Sequence, residues 1–187
     1  YSNTFIRQSE ENYEDAHLND NGMILVKQSG KWAILDQNLK NVTDFVFTDV
    51  AVNSKNQVFS GNYAVVADEN GYFLIDQKGK ACFEKRFLNA KGMEGGYYAV
   101  ADESGQWGFA DEKGELVVPC QYVDAYSFSN QTAAVQYAGK WGYINRYGNM
   151  VIDAQFSTAL PFLNGKAMVQ DDQENIKVLE LRYFDTF

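Results

Sequence analysis

Carboxylates recur in this chain of 187 residues at intervals that invite a chemical reading: Asp36, Asp76 and Asp111 each stand four residues after an aromatic residue, with Asn145 and Glu180 in the corresponding later places. Acid–base catalysis needs carboxyl groups in one asymmetric pocket that pushes their pKa values apart. A different cause accounts for these. Asp76 and Asp111 open D-x-x-G turns, in which the side chain accepts backbone N–H bonds and Gly takes the positive φ. Asp171, Asp172 and Glu174 supply hard oxygen ligands, but without the spacing or closing Glu of a calcium loop, and they read as a solvated hairpin turn. Cys82 and Cys120 are the only cysteines and His17 the only histidine. No Cys/His cluster suits zinc, no His neighbours a Cys as base for a thiol nucleophile, and the two Cys stand at unequal places in the repeat described below. The Gly-rich run from Lys91 to Gly96 lacks the flanking strand and helix of a phosphate cradle and reads as a connector. No catalytic residue, metal or cofactor is expected.

The recurrence of the acidic turns points to a repeat. Aromatic anchors Trp32, Tyr72, Trp107 and Trp141 are separated by 40, 35 and 34 residues. Fifteen residues after each anchor comes another ring: Phe47, Phe87, Tyr122 and Phe156. Gly79, Gly114 and Gly148 hold one turn position, where the first copy has Leu39. Such a period is the signature of a repeat architecture. Each unit contains two short apolar runs across a turn, then a third run, as in Trp141-Gly142-Tyr143-Ile144 followed by Met150-Val151-Ile152. With 15 Gly, 12 Tyr and 13 Phe against 2 Pro, this predicts short aromatic strands and tight turns.

The expected fold is therefore all-β, with tandem repeats of about 34–40 residues, each of roughly three short antiparallel strands. Residues 1–187 read as a single domain: a partial unit 1–21, units 22–60, 61–95, 96–130 and 131–164, and a partial capping unit 165–187. The anchors Trp32, Tyr72, Trp107 and Trp141 are expected in a buried layer beside Phe47, Phe87, Tyr122 and Phe156. Stacking as an open twisted array or solenoid is the first expectation. The alternative is a small five-unit β-propeller closed by the two terminal fragments, with Phe5 and Ile6 in the last strand of the N-terminal one. The long stretch from Asp49 to Ser60 predicts a protruding loop around Asn53 to Asn56.

Lys140-Trp141-Gly142-Tyr143-Ile144, the Gly148 turn, Val151-Ile152 and Phe156 resemble the WG repeat family, tandem Trp-Gly modules found mostly in bacteria. Gln106-Trp107-Gly108-Phe109-Ala110 with Gly114 and Val117-Val118-Pro119 resembles it equally. Trp32-Ala33 and Tyr72-Phe73 depart from the motif. The resemblance implies a β-rich array used as a nonenzymatic or accessory region, and supplies no active-site residue to carry over.

Net charge of −9, from 16 Lys+Arg against 25 Asp+Glu with no basic run, speaks against a nucleic-acid or anionic-membrane surface. No run suits membrane insertion. The chain begins at Tyr1, which leaves a periplasmic, cell-surface or secreted location open if a leader was removed. The leading functional expectation is a noncatalytic binding or scaffold domain engaging a protein or glycan, such as an extracellular polymer. Its expected contact residues are Tyr97, Tyr126, Tyr137 and Tyr147, with Asp49, Asp124 and Asp171 biasing partner choice. The alternatives are a hydrolase of unknown substrate, with a cleft in the degenerate first half around Asn53, Asn56, Cys82 and Glu84, and a purely structural spacer.

Overall fold

The computed structural model describes residues 11–181. The N-terminal Phe5 and Ile6, expected in a strand, and the end of the chain beyond Leu181, expected to cover an edge, lie outside the described residues.

Among the described residues, eighteen strands form five antiparallel sheets in chain order. The first holds β1 (Asp15–Leu18), β2 (Ile24–Gln28) and β3 (Lys31–Leu35). The second holds β4 (Asp49–Ala51), β5 (Phe59–Ser60), β6 (Tyr63–Asp68) and β7 (Gly71–Asp76), with both β4 and β5 paired to β6. In the third, β8 (Asn89–Ala90), β9 (Tyr97–Ala101), β10 (Trp107–Asp111) and β11 (Leu116–Tyr122) lie side by side in that order. The fourth repeats this with β12 (Asp124–Ala125), β13 (Thr132–Tyr137), β14 (Lys140–Asn145) and β15 (Met150–Phe156). The fifth has β16 (Thr158–Ala159), β17 (Lys166–Gln170) and β18 (Ile176–Glu180). The expected three strands per unit thus become four in the middle sheets, because a short strand just past the fifteenth-residue ring joins the next sheet as its inner edge. The sheets form an open series: among the described residues no strand joins the first to the fifth.

Local chemistry explains the hairpins. Asp36, Asp76, Asp111, Asn145 and Asp171 each accept, through Oδ1, the backbone N–H groups two and four residues ahead at 2.8–3.1 Å. The side chain thereby satisfies the donors that the reversing chain frees from the ladder. Gly79, Gly114 and Gly148 follow at φ 75–80°, and Leu39 is held in the same left-handed region at φ 62°. A side chain there costs about 1–2 kcal/mol that Gly avoids.

Successive sheets stack through one cross-strand pair in a constant register. Leu25↔Ile34, Val65↔Leu74, Ala99↔Phe109 and Ala134↔Tyr143 face the following sheet, and all eight residues are fully buried. Against them sit the alternate residues of the next sheet, such as Ala64 and Val66, Tyr98 and Val100, Ala133 and Val135, or Ala167 and Val169. Phe128 and Phe162 fill the last two of these junctions. This period-two division, one face backward and one forward, is why the middle strands are apolar on both sides.

Of the aromatic anchors, Trp32 and Trp141 are buried with Phe47, Phe87, Tyr122 and Phe156, while Tyr72 and Trp107 are only half-buried. The uniform buried layer expected from the repeat is corrected at those two positions, where polar groups from the inner edge reach the ring. The long connection after β4 is anchored at its far end, where the buried Asn19 Oδ1 accepts the Val58 and Phe59 amides at 2.9 Å. Its tip, Ser54, Lys55 and Asn56, is exposed, with Ser54 Oγ donating to Glu94 at 2.5 Å.

Candidate binding site at the inner edges

The short inner strands β4, β8, β12 and β16 carry related sequences: Asp49-Val50-Ala51, Asn89-Ala90-Lys91, Asp124-Ala125-Tyr126 and Thr158-Ala159-Leu160, matching Asp15-Ala16-His17 in β1. In four of these the first side chain accepts the amide of the next residue at 2.7–2.9 Å, which fixes the local backbone. The third position is then presented from a constant frame, and it differs in every sheet: His17, Ala51, Lys91, Tyr126 and Leu160.

Each anchor ring meets a group from its own inner edge. His17 lies 5.3 Å from Trp32, ring to ring, and Tyr126 lies 5.4 Å from Trp141. The Tyr72 hydroxyl donates to Asp49. Burial first, then that bond and the Asp49 charge, push the Tyr72 phenol up to about 12. Lys91 Nζ stands 4.8 Å from the Trp107 ring centre and 4.7 Å from that of Tyr126, 3.2 Å from Asp124 Oδ1, and donates to the Ala125 carbonyl. A cation held between two ring faces and a carboxylate is stabilised by all three, and its stem covers apolar surface.

These edges surround a cavity of about 300 Å³, lined by Asp49, Ser54, Lys91, Tyr126, Ser127 and Pro161 among others. It continues past Ser54, Tyr126 and Pro161 into an apolar groove of about 440 Å³ along the fifth sheet, walled by Leu160, Leu163, Met168 and Val178. The mouth therefore offers acceptors, a partly shielded cation and an aromatic face on one side, and aliphatic surface on the other. Pockets of this mixed lining suit recognition of an extended ligand.

Of the residues expected to make contacts, Asp49 and Tyr126 line the cavity, and Asp124 stands behind it through Lys91. The other four are elsewhere. Tyr97 borders a separate recess with Phe128, Gln131 and Arg146. Tyr137 lies exposed against Tyr122, and Tyr147 projects from the turn after β14. Asp171 is engaged by Lys177 at 2.8 Å and by its own turn; the Lys177 bond, then that of the Asn175 amide, hold its carboxyl at about 2. Lys91, Ser54 and Leu160 were missed. The signal for Lys91 and Leu160 lay in the repeat frame itself, as the one variable place after a constant Asp-Ala-like pair; Ser54 carries no such signal.

The hydrolase alternative requires Asn53, Asn56, Cys82 and Glu84 around one cleft. Asn53 lines the central cavity, whereas the Cys82 amide donates to Leu74 on the opposite edge of the second sheet. Burial pushes the thiols of Cys82 and Cys120 up, away from the nucleophilic thiolate. Among the described residues no group of three His, Cys, Asp or Glu side chains is placed to hold a metal, and no helix is long and apolar enough to cross a membrane.

Comparison with known proteins agrees with this geometry. The WG containing repeat matches residues 12–32, 107–141 and 141–174, just under half of the chain. No curated protein matches the sequence. Among solved structures, Hsv2 from Kluyveromyces lactis superposes with a TM-score of 0.58 at 14% identity, covering 89% of this chain and 61% of its own. The C-terminal WD40 domain of Sif2 gives a TM-score of 0.52 at 10% identity over 88% of this chain and 57% of its own. The chain thus spans about three fifths of the length of these structures, and such identities speak to fold alone. Neither likeness supports the expectation of a bacterial origin. Over its matched stretches the chain is similar to the WG containing repeat, and its sheets are arranged in a β-propeller-like fold that stays open.

Proposed function

We propose that this chain is a noncatalytic binding module that holds a segment of a protein or of an extracellular polymer at the mouth of the central cavity. The observation that carries the reading is the inner-edge position occupied in turn by His17, Ala51, Lys91, Tyr126 and Leu160. A fold needs the frame around that position, whereas it has no need for five different side chains there; a contact surface does. Tyr126 supplies a rigid face with a hydroxyl, Asp49 and Ser54 supply hydrogen-bonding groups, and Leu160 supplies aliphatic surface. The open array serves as the scaffold that sets the spacing of these groups.

The test is binding of the folded chain to peptide and glycan arrays, followed by titration of the best ligand against Lys91→Ala and Tyr126→Ala. Saturable binding weakened about tenfold or more by either change, with far-UV circular dichroism retained, is the expected result. Absence of saturable binding, or binding indifferent to both changes, would leave the chain a structural spacer.

A further inference from the structure

Among the described residues, the fifth sheet repeats the stacking register of the other four with no sheet packed on it. Met168↔Val178 is the cross-strand pair equivalent to Leu25↔Ile34, Val65↔Leu74, Ala99↔Phe109 and Ala134↔Tyr143. The earlier eight residues are 0% exposed, whereas Met168 is 52% and Val178 65% exposed. Their strand neighbours Ala167 and Val169 point the other way and are buried against the fourth sheet. Ile176, in the anchor position, and Leu163 are exposed beside them. An apolar pair that the fold buries four times and leaves open once is a sheet-docking surface.

We infer that this face pairs with the same face of a second copy of the chain, giving a two-fold dimer through the fifth sheets. Three observations select that occupant. The four interfaces within the chain are all sheet on sheet, so a sheet is the shape the register accepts. The backward face of the first sheet, the other candidate partner surface, is closed: Val26, Ala33 and Leu35 are already buried, with Tyr13 and Phe45 packed on them. Head-to-tail addition therefore meets no free acceptor among the described residues. The open face is also self-complementary in charge, because Lys166 pairs across the strands with Glu180 beside the Met168↔Val178 pair. A two-fold axis running along the strands sets Lys166 of one copy against Glu180 of the second and brings the apolar pairs together. The face shares Met168 and Val178 with the apolar groove that runs on from the central cavity, so ligand binding is read separately through Lys91, which lines the cavity and not the groove, and failure of the dimer would leave that proposal standing.

Sedimentation velocity of the full chain under reducing conditions, over a wide micromolar range, tests the inference. The expected mass rises toward twice the 21.1 kDa of the chain. Val178→Glu and Met168→Lys, each made on an already exposed side chain, should weaken association about 100-fold or more while leaving circular dichroism unchanged and the thermal midpoint equal to that of the dilute, monomeric wild-type chain. Val151→Glu, on the exposed side of the fourth sheet, should leave the dimer intact. A wild-type chain that stays monomeric throughout overturns the inference, as does a dimer that survives both Val178→Glu and Met168→Lys.

Discussion

The third and fourth sheets end in outer strands of seven residues, β11 and β15, while the first and second are fastened at the same edge by paired single bridges, Trp32↔Phe47 with Leu35↔Asn41 and Tyr72↔Phe87 with Ile75↔Ala81. The difference follows the residue after the anchor. A Cβ on Gly108 would lie 2.6 Å from the Val118 carbonyl oxygen, and one on Gly142 2.6 Å from that of Ile152. Where Trp-Gly is present, the outer strand passes directly over the missing side chain, with an irregular register at that point. Ala33 and Phe73 carry a Cβ there, and the outer segment forms no continuous ladder. The Trp-Gly pair is thus a device for seating a fourth strand, and the chain shows both the device and its loss.

The largest way to sharpen this contrast is to remove an anchor. Trp141→Ala should cost about 3–5 kcal/mol in urea denaturation, since the ring is 9% exposed and packs on Phe156 and Tyr126. Trp107→Ala, on a half-buried ring, should cost visibly less. Equal losses would deny the distinction between the two sites.

Gly142→Ala comes next, with an expected loss of about 1–3 kcal/mol, because the new methyl meets backbone that cannot yield without unpairing β15. Amide exchange should rise along Met150–Phe156 and little elsewhere. The reverse change, Ala33→Gly, should cost only about 0.5–1 kcal/mol and should not by itself build an outer strand in the first sheet. If Gly142→Ala were neutral, close backbone approach would not be the reason for the motif.

Leu39→Gly addresses the other degenerate position. It should raise stability by up to about 1 kcal/mol, by relieving the left-handed backbone that Gly114 and Gly148 adopt freely. A lowered thermal midpoint would mean that Leu39 packing outweighs the backbone cost.

The smallest effect concerns Tyr72, which replaces Trp in the second sheet and brings a hydroxyl. Its folded pKa of about 12 lies above the ordinary value of 10, so folding favours the neutral phenol. The associated stability is fully present below pH 10 and is lost as pH rises through 12. Tyr72→Phe should therefore flatten the decline of stability in that window, and difference absorbance should show one fewer late-ionising phenol. An unchanged alkaline profile would remove the Asp49 contact from the account.

Much of this architecture was legible beforehand, for particular physical reasons. The anchors, the rings fifteen residues later and the Asp turns are single-residue requirements repeated in register, so spacing alone exposes them. The inner strands were invisible as strands because two residues such as Asp124-Ala125 carry no periodicity; only tertiary pairing with β13 makes them one. The anchoring of that long connection at Val58 and Phe59 depends on Asn19, about 40 residues away and buried by its contacts rather than by its type. Of the expected contact residues, Tyr126, Asp49 and Asp124 came together because they share the inner-edge frame. Tyr97, Tyr137 and Tyr147 share only a residue type, which says nothing about which side of a sheet they occupy.

Between β11 and β12 there is one residue, Val123, and between β15 and β16 one residue, Ser157. The outermost strand of one sheet thus runs almost without slack into the innermost strand of the next. Tension applied to the ends of the array would pass from edge to edge through these links, loading the full ladder of each sheet before any linker could extend. The second half of the molecule, with its seven-residue outer strands, should bear such a load as a stiff series, and the bridged first half should yield first, making the array a spring with one soft end.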